Sequence, residues 1–194
     1  MKDHLSFKFI GHVLIKDKVS QEVIVDTYNA IHPENMSESI ALCLANRSSG
    51  NIHEMVFGNG ASAVSGTGAI SYFPPNISGT DSQLYNQTFS KIVDDLSPQN
   101  LDEENNFIRV EHVRGEVFSD IVVTCTLGFN EPSGQEALDN APNAEGDFVF
   151  DEIGLRSYAP NAIGKLLTHV VFSPVEKSLN RSLEIIYTIR AVLV

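Results

Sequence analysis

The chain has 194 residues, of which 42% are hydrophobic; this is the size of one domain, or of one domain with an appended arm, and it excludes a disordered chain. A formal charge of −12, from 13 basic and 25 acidic residues, excludes a phosphate-neutralising surface, so neither nucleic acid nor an anionic membrane is an expected partner. Cys43 and Cys125 stand far apart and outside any CxxC pair; free buried thiols in a reducing setting are expected, with a single disulfide as the alternative.

Residues 1–34 read as an N-terminal strand or arm. Met1 to Leu5 is followed by no apolar stretch of signal-peptide length, and no run in the chain is long enough to span a bilayer. An aqueous, cytosolic setting is therefore expected. Ser6 to Ile15 carries aromatic and β-branched residues in partial alternation, the pattern of a strand, and Val23-Ile24-Val25 is a shorter candidate to pair with it.

One amphipathic helix is predicted over 35–46. Asn35 is the expected N-cap and Glu38 its capping-box partner. Met36, Ile40 and Leu44 recur every four residues and share a face, with Cys43 beside them. Gly50 is placed to end the segment in the left-handed conformation.

Ile52 to Phe57 reads as a strand, and the glycine-rich run from Gly58 to Gly68 as a loop. Leu84 to Val93 fits a helix or a strand; turn-rich flanks, Thr88 and the aromatics favour the strand. Asp94 to Asn106 is an acidic, solvated connection. Phe107 to Val113, Val117 to Phe129, Phe148 to Ile153, Leu166 to Phe172 and Leu183 to Val194 supply further strands, with a polar loop over 131–146. In the last strand Ile185, Tyr187 and Ile189 share one face. About eight strands and a single helix predict a mainly β fold, an antiparallel, jelly-roll-like β-sandwich over residues 35–194.

Chemistry-bearing motifs are sparse. Gly58-Asn59-Gly60-Ala61-Ser62-Ala63 matches a dinucleotide fingerprint in letters, but Gly66, Gly68, Pro74 and Pro75 forbid the helix that must follow it. His4, His12, His32, His53, His112 and His169 form no ligand pair at helical spacing, so no metal is expected. Asp94, Asp95, Asp102, Glu103 and Glu104 lack the order of a calcium loop. Cys125 lies inside a β run, and Ser62 and Ser65 lack the glycines of a nucleophile elbow. Asp151 and Glu152, adjacent in a strand, should point to opposite faces and so not act as a pair. No catalytic, cofactor-binding or metal-binding residue is expected, and the chain reads as no enzyme.

Ile52–Gly60 (IHEMVFGNG), Leu84–Asp94 (LYNQTFSKIVD), Phe150–Leu155 (FDEIGL) and Leu166–Pro174 (LLTHVVFSP) occur in this order, followed by Lys177 and the strand Leu183–Arg190. Over residues 35–194 this ordered set resembles a group of tailed-bacteriophage virion structural proteins, the β-proteins of neck, collar, tail and capsid decoration. The resemblance implies a homo-oligomer that contacts other virion proteins, resides in the virion and is made in the host cytoplasm. It brings no catalytic residues. A carbohydrate-binding β-sandwich of the adhesin kind is the alternative, needing exposed aromatics beside Asp or Asn; the lack of Trp counts mildly against it.

Overall fold

The computed structural model describes residues 5–133 and 149–194. In chain order its elements are β1 (Phe7–Asp17), β2 (Val23–Ile31), α1 (Pro33–Leu44), a 3-10 turn (Ser48–Gly50), β3 (Ile52–Gly58), β4 (Ser62–Val64), β5 (Ile70–Tyr72), β6 (Gln87–Ile92), β7 (Phe107–His112), β8 (Phe118–Leu127), β9 (Val149–Ser157), β10 (Leu166–Glu176) and β11 (Leu183–Leu193). Nine strands form one sheet in the order β6-β3-β9-β10-β2-β1-β11-β8-β7, while β4 and β5 pair only with each other. Every pairing is antiparallel.

The sheet curls into a sandwich because one joint is weak. β2 meets β10 at only two residue pairs, Thr168 with Ile31 and His169 with Ala30. There the sheet turns, laying β10-β9-β3-β6 over β2-β1-β11-β8-β7. The far ends come together, and Lys91 Nζ on β6 donates to the Thr126 carbonyl on β8 at 2.8 Å. Between the halves lies a core built from alternate residues: Val13 and Ile15, Val123 and Cys125, Ile185, Tyr187 and Ile189, facing Met55, Phe57, Ile153 and Leu155. Full burial of one such aliphatic side chain stabilises the fold by about 1.5–3 kcal/mol. The mainly β, sandwich-like architecture, with a single α-helix among the described residues, is the one the sequence pattern predicts.

β1, the strand predicted near the N-terminus, lies inside the sheet with both edges paired, to β11 and to β2. Its one glycine serves a buried contact. A Cβ on Gly11 would stand 1.4 Å from Asn29 Oδ1, and the Asn29 amide donates to the Tyr187 hydroxyl at 2.6 Å in the interior.

Three local expectations are corrected. The helix starts earlier than 35, with His32 as N-cap and Pro33 in its first turn; His32 Nδ1 accepts from the Asn35 N–H at 3.2 Å. Asn35 is instead inside the helix and buried, its amide donating to the Leu166 carbonyl at 2.8 Å. Only the first part of the helix packs against the sheet: Met36 is buried, whereas Leu44 is 82% exposed and Cys43 is exposed. The left-handed residue after the helix is Asn46, at φ 56°; Gly50 has a different role, since a Cβ there would lie 2.5 Å from the Ser39 carbonyl oxygen. Finally, the glycine-rich segment is not all loop, for it contains β4 and leads into β5 through Ser65–Ala69. Most of the polar stretch expected to be a loop over 131–146 lies outside the described residues.

Leu84 belongs to no strand. β6 begins at Gln87, and residues 73–86 cross the outer face of β9 and β10, where Leu84 packs with Val56 and Leu166 in a second, smaller core. Every residue of β9 is consequently buried, because the strand is covered on both sides.

Candidate functional site

The chemistry-bearing residues are dispersed. Among the described histidines, His12 pairs with Asp26 at 2.6 Å, His32 caps α1 and contacts Ser82, His53 stacks edge-on against Tyr158, and His112 meets Ser119. His4 lies outside the described residues. Among the described residues no three His, Cys, Asp or Glu side chains stand close enough to hold a metal ion. The acidic connection ties itself down: Asp94 accepts from the Leu96 N–H, Asp95 from the Ile108 N–H and Asp102 from the Asn105 amide. Cys125 is fully buried, and burial pushes its thiol up to about 12, so little nucleophilic thiolate forms at neutral pH.

One polar cluster is brought together that alternation does not predict. Phe150 and Ile153 both enter the core, so the two residues between them cannot alternate across the strand. Asp151 and Glu152 instead both reach the turn at Gly60–Ser62. Asp151 accepts from the Ala61 N–H at 3.1 Å and from the Ser62 hydroxyl at 2.5 Å. Glu152 accepts from the N–H groups of Gly60, Asn86 and Tyr85 at 3.1, 2.8 and 2.9 Å. Its fourth donor is His169 Nε2 at 2.9 Å. His169 Nδ1 accepts from the Asn76 N–H at 2.8 Å; a backbone N–H only donates, so the ring is the neutral tautomer protonated at Nε2.

Burial raises Glu152, but donation by His169 and by the N–H groups of Asn86 and Tyr85 outweighs it and holds the carboxyl below its ordinary value. Asp151 moves the other way, raised by burial. Neither carboxylate nor His169 is open to a substrate, with exposures of 1%, 0% and 0%. The backbone donors of the Gly60 turn, which in a dinucleotide fold would face a pyrophosphate, are occupied by these carboxylates. The glycines permit this approach: a Cβ on Gly58 would lie 2.4 Å from the Asn86 carbonyl oxygen, and one on Gly60 2.6 Å from the Asn86 nitrogen. The cluster is a structural clamp that fixes the root of the β4–β5 hairpin and the incoming end of β6.

Lys177 is a further buried ionisable group, with 0% exposure. Burial lowers its ammonium to about 8 from 10.5; Glu131 opposes that shift and Arg181 adds to it. A base with a depressed folded value binds fewer protons folded than unfolded, so stability should rise with pH between about 8 and 10.5. Lys177→Met is expected to abolish that rise and to gain on the order of 1–2 kcal/mol at neutral pH. Urea unfolding at several pH values across the window measures both effects.

Apolar surface also lies open to solvent. A groove of about 490 Å³ runs between α1 and the concave sheet, lined by residues including Phe9, Ile40, Leu44, Leu96, Val110 and Ile121, with Asp94 and Asp95 as its charged members. Leu44, Leu96 and Val110 are 82%, 90% and 71% exposed. The β4–β5 hairpin also shows apolar side chains, Val64 and Ile70, paired across its strands. A cleft of about 420 Å³ beside it is lined by Tyr28, Tyr72, Phe73 and Ser173, among others. None of these surfaces was legible in the sequence, because each depends on how the sheet curls. No helix among the described residues is long and apolar enough to cross a membrane.

Comparison with protein-family models, with curated proteins and with solved structures finds no match to this chain.

Proposed function

We propose that this chain is a structural subunit of a tailed-bacteriophage virion, not an enzyme, which joins neck, collar, tail or capsid through contacts with other virion proteins and with copies of itself. The observation that carries the structural part of this reading is the distribution of its groups. The buried carboxylates Asp151 and Glu152 hold the chain's own backbone, whereas apolar groups lie open in the groove and on the hairpin. Contiguous exposed apolar surface of this kind marks protein–protein contact sites. The phage part rests on the sequence resemblance alone.

A specific observation favours the second reading, carbohydrate binding: Tyr28, Tyr72 and Phe73 gather around one open cleft, and Asp26 stands beside Tyr28 on β2. Mass spectrometry of particles purified from an infected culture that makes this chain decides between the two. A stoichiometric, repeated copy number per particle is the expected result. Absence from particles, with glycan binding that Tyr28→Ala abolishes, would move the assignment to a sugar-binding module.

A further inference from the structure

The apolar hairpin and the apolar groove lie at opposite ends of the sandwich. β3 runs from one to the other: Ile52, at its start, lines the groove, and Gly58, at its end, leads into the hairpin. Neither feature is covered within the described chain. Val64 and Ile70 sit directly opposite each other across the hairpin, at 57% and 47% exposure. They stand on the same side of the ribbon, as a cross-strand pair must.

Charge selects what can enter the groove. With a net charge of −12, most faces of this protein repel a second copy. The hairpin is the exception: residues 55–80 contain no Asp, Glu, Lys, Arg or His. The groove has no basic residue in its lining, and its charged members are both acidic, Asp94 and Asp95. A neutral apolar plug meets that rim without like-charge repulsion, which an acidic plug would not. The hairpin is also prepared to bind. Both strands are anchored at its root, β4 through Gly60–Ser62 by Asp151 and Glu152 and β5 through the hydrogen bond of Tyr72, opposite Ser62, with Ser173, so Val64 and Ile70 project from a fixed base.

We propose that the β4–β5 hairpin of one copy seats Val64 and Ile70 in the apolar groove of the next copy, between α1 and the concave face of β1, β11, β8 and β7. The contact is heterologous, head to tail, and closes into a ring or extends as a filament according to the rotation it imposes. It accounts for both uncovered surfaces with one interface. The inference rests on the virion-subunit reading for its setting, and it names the partner that reading leaves open.

The test uses the full chain and two exposed-site variants, Ile70→Asp, which disables the hairpin, and Leu44→Asp, which disables the groove. Circular dichroism melts should match the wild type, since both side chains are exposed. In sedimentation velocity over a concentration series, the wild type should form oligomers larger than dimers and each variant alone should be monomeric. A mixture of the two variants should form a one-to-one dimer and nothing larger, because the mixture has one intact hairpin and one intact groove to join. A wild type that stays monomeric, variants that assemble like the wild type, or a mixture that remains monomeric would each overturn the head-to-tail contact. The two readings fail separately. Presence in particles with unchanged variant assembly removes only this interface, and the one-to-one dimer with absence from particles removes only the virion setting.

Discussion

A chain lacking residues 1–20 should show no cooperative unfolding transition. The deletion takes away β1, which pairs with β11 along its full length from Phe7–Leu193 to Asp17–Leu183 and with β2 on its other edge. It also removes Val13 and Ile15, exposed by 0% and 2%. Their burial alone is worth about 1.5–3 kcal/mol each. The loss of two ladders and the exposure of the facing core come on top, against a total stability of roughly 5–15 kcal/mol for a domain. Thermal and urea melts of the truncated chain check this. A melting transition within a few degrees of the full chain would mean that β1 is a peripheral arm and that its place in the sheet is dispensable.

Glu152→Ala should destabilise the fold by roughly 3–5 kcal/mol, the combined cost of several donors left without an acceptor in the interior. The substitution strands the N–H groups of Gly60, Tyr85 and Asn86 and the Nε2–H of His169, and an unsatisfied buried donor costs about 1–3 kcal/mol. Glu152→Gln should lose less, because it keeps an acceptor oxygen at the Gly60 turn. The pH dependence has a definite sign. The Glu152 carboxyl is held below its ordinary 4.5, so the folded state binds its proton less readily than the unfolded state. The stability it gives is complete above 4.5 and is lost as pH falls through the lowered folded value. Asp151, raised by burial, works weakly in the opposite direction. Urea unfolding at neutral pH and in acid should show a smaller acid loss in Glu152→Ala than in the wild type. An equal loss in both would assign the acid sensitivity to other carboxylates.

The strands of the core are legible where one face is buried and the other wet. In β11, Ile185, Tyr187 and Ile189 alternate with Ile186, Thr188 and Arg190, and the burial follows that pattern. The helix is legible from Met36 and Ile40, but its start is not, because an imidazole acting as N-cap leaves no Ser, Thr, Asp or Asn signature at position 32. The hairpin hides among glycines and small polar residues, since two short strands that pair only with each other need no buried face. The clamp is hidden for the opposite reason. Strand alternation sends Asp151 and Glu152 to different faces, and the local departure that unites them is set by packing Phe150 beside Ile153. The groove exists only because distant strands curl toward α1, and nothing in a linear pattern records that curvature.

The pairing of β1 with β11 also governs how a newly made chain reaches this state. Ser6 and Val194 exchange backbone hydrogen bonds although 188 positions separate them. Until residues 183–193 have left the ribosome, the β1–β2 hairpin has one naked edge and an uncovered apolar face. Contacts this remote in sequence make for slow folding, and a naked edge invites pairing with another nascent chain on the same message. Lys8 and Lys16 on β1 are partial guards, since charge on an exposed strand discourages such additions. Rapid synthesis of many copies would therefore test this protein's folding before its assembly, and the danger is a strand exchanged between neighbours.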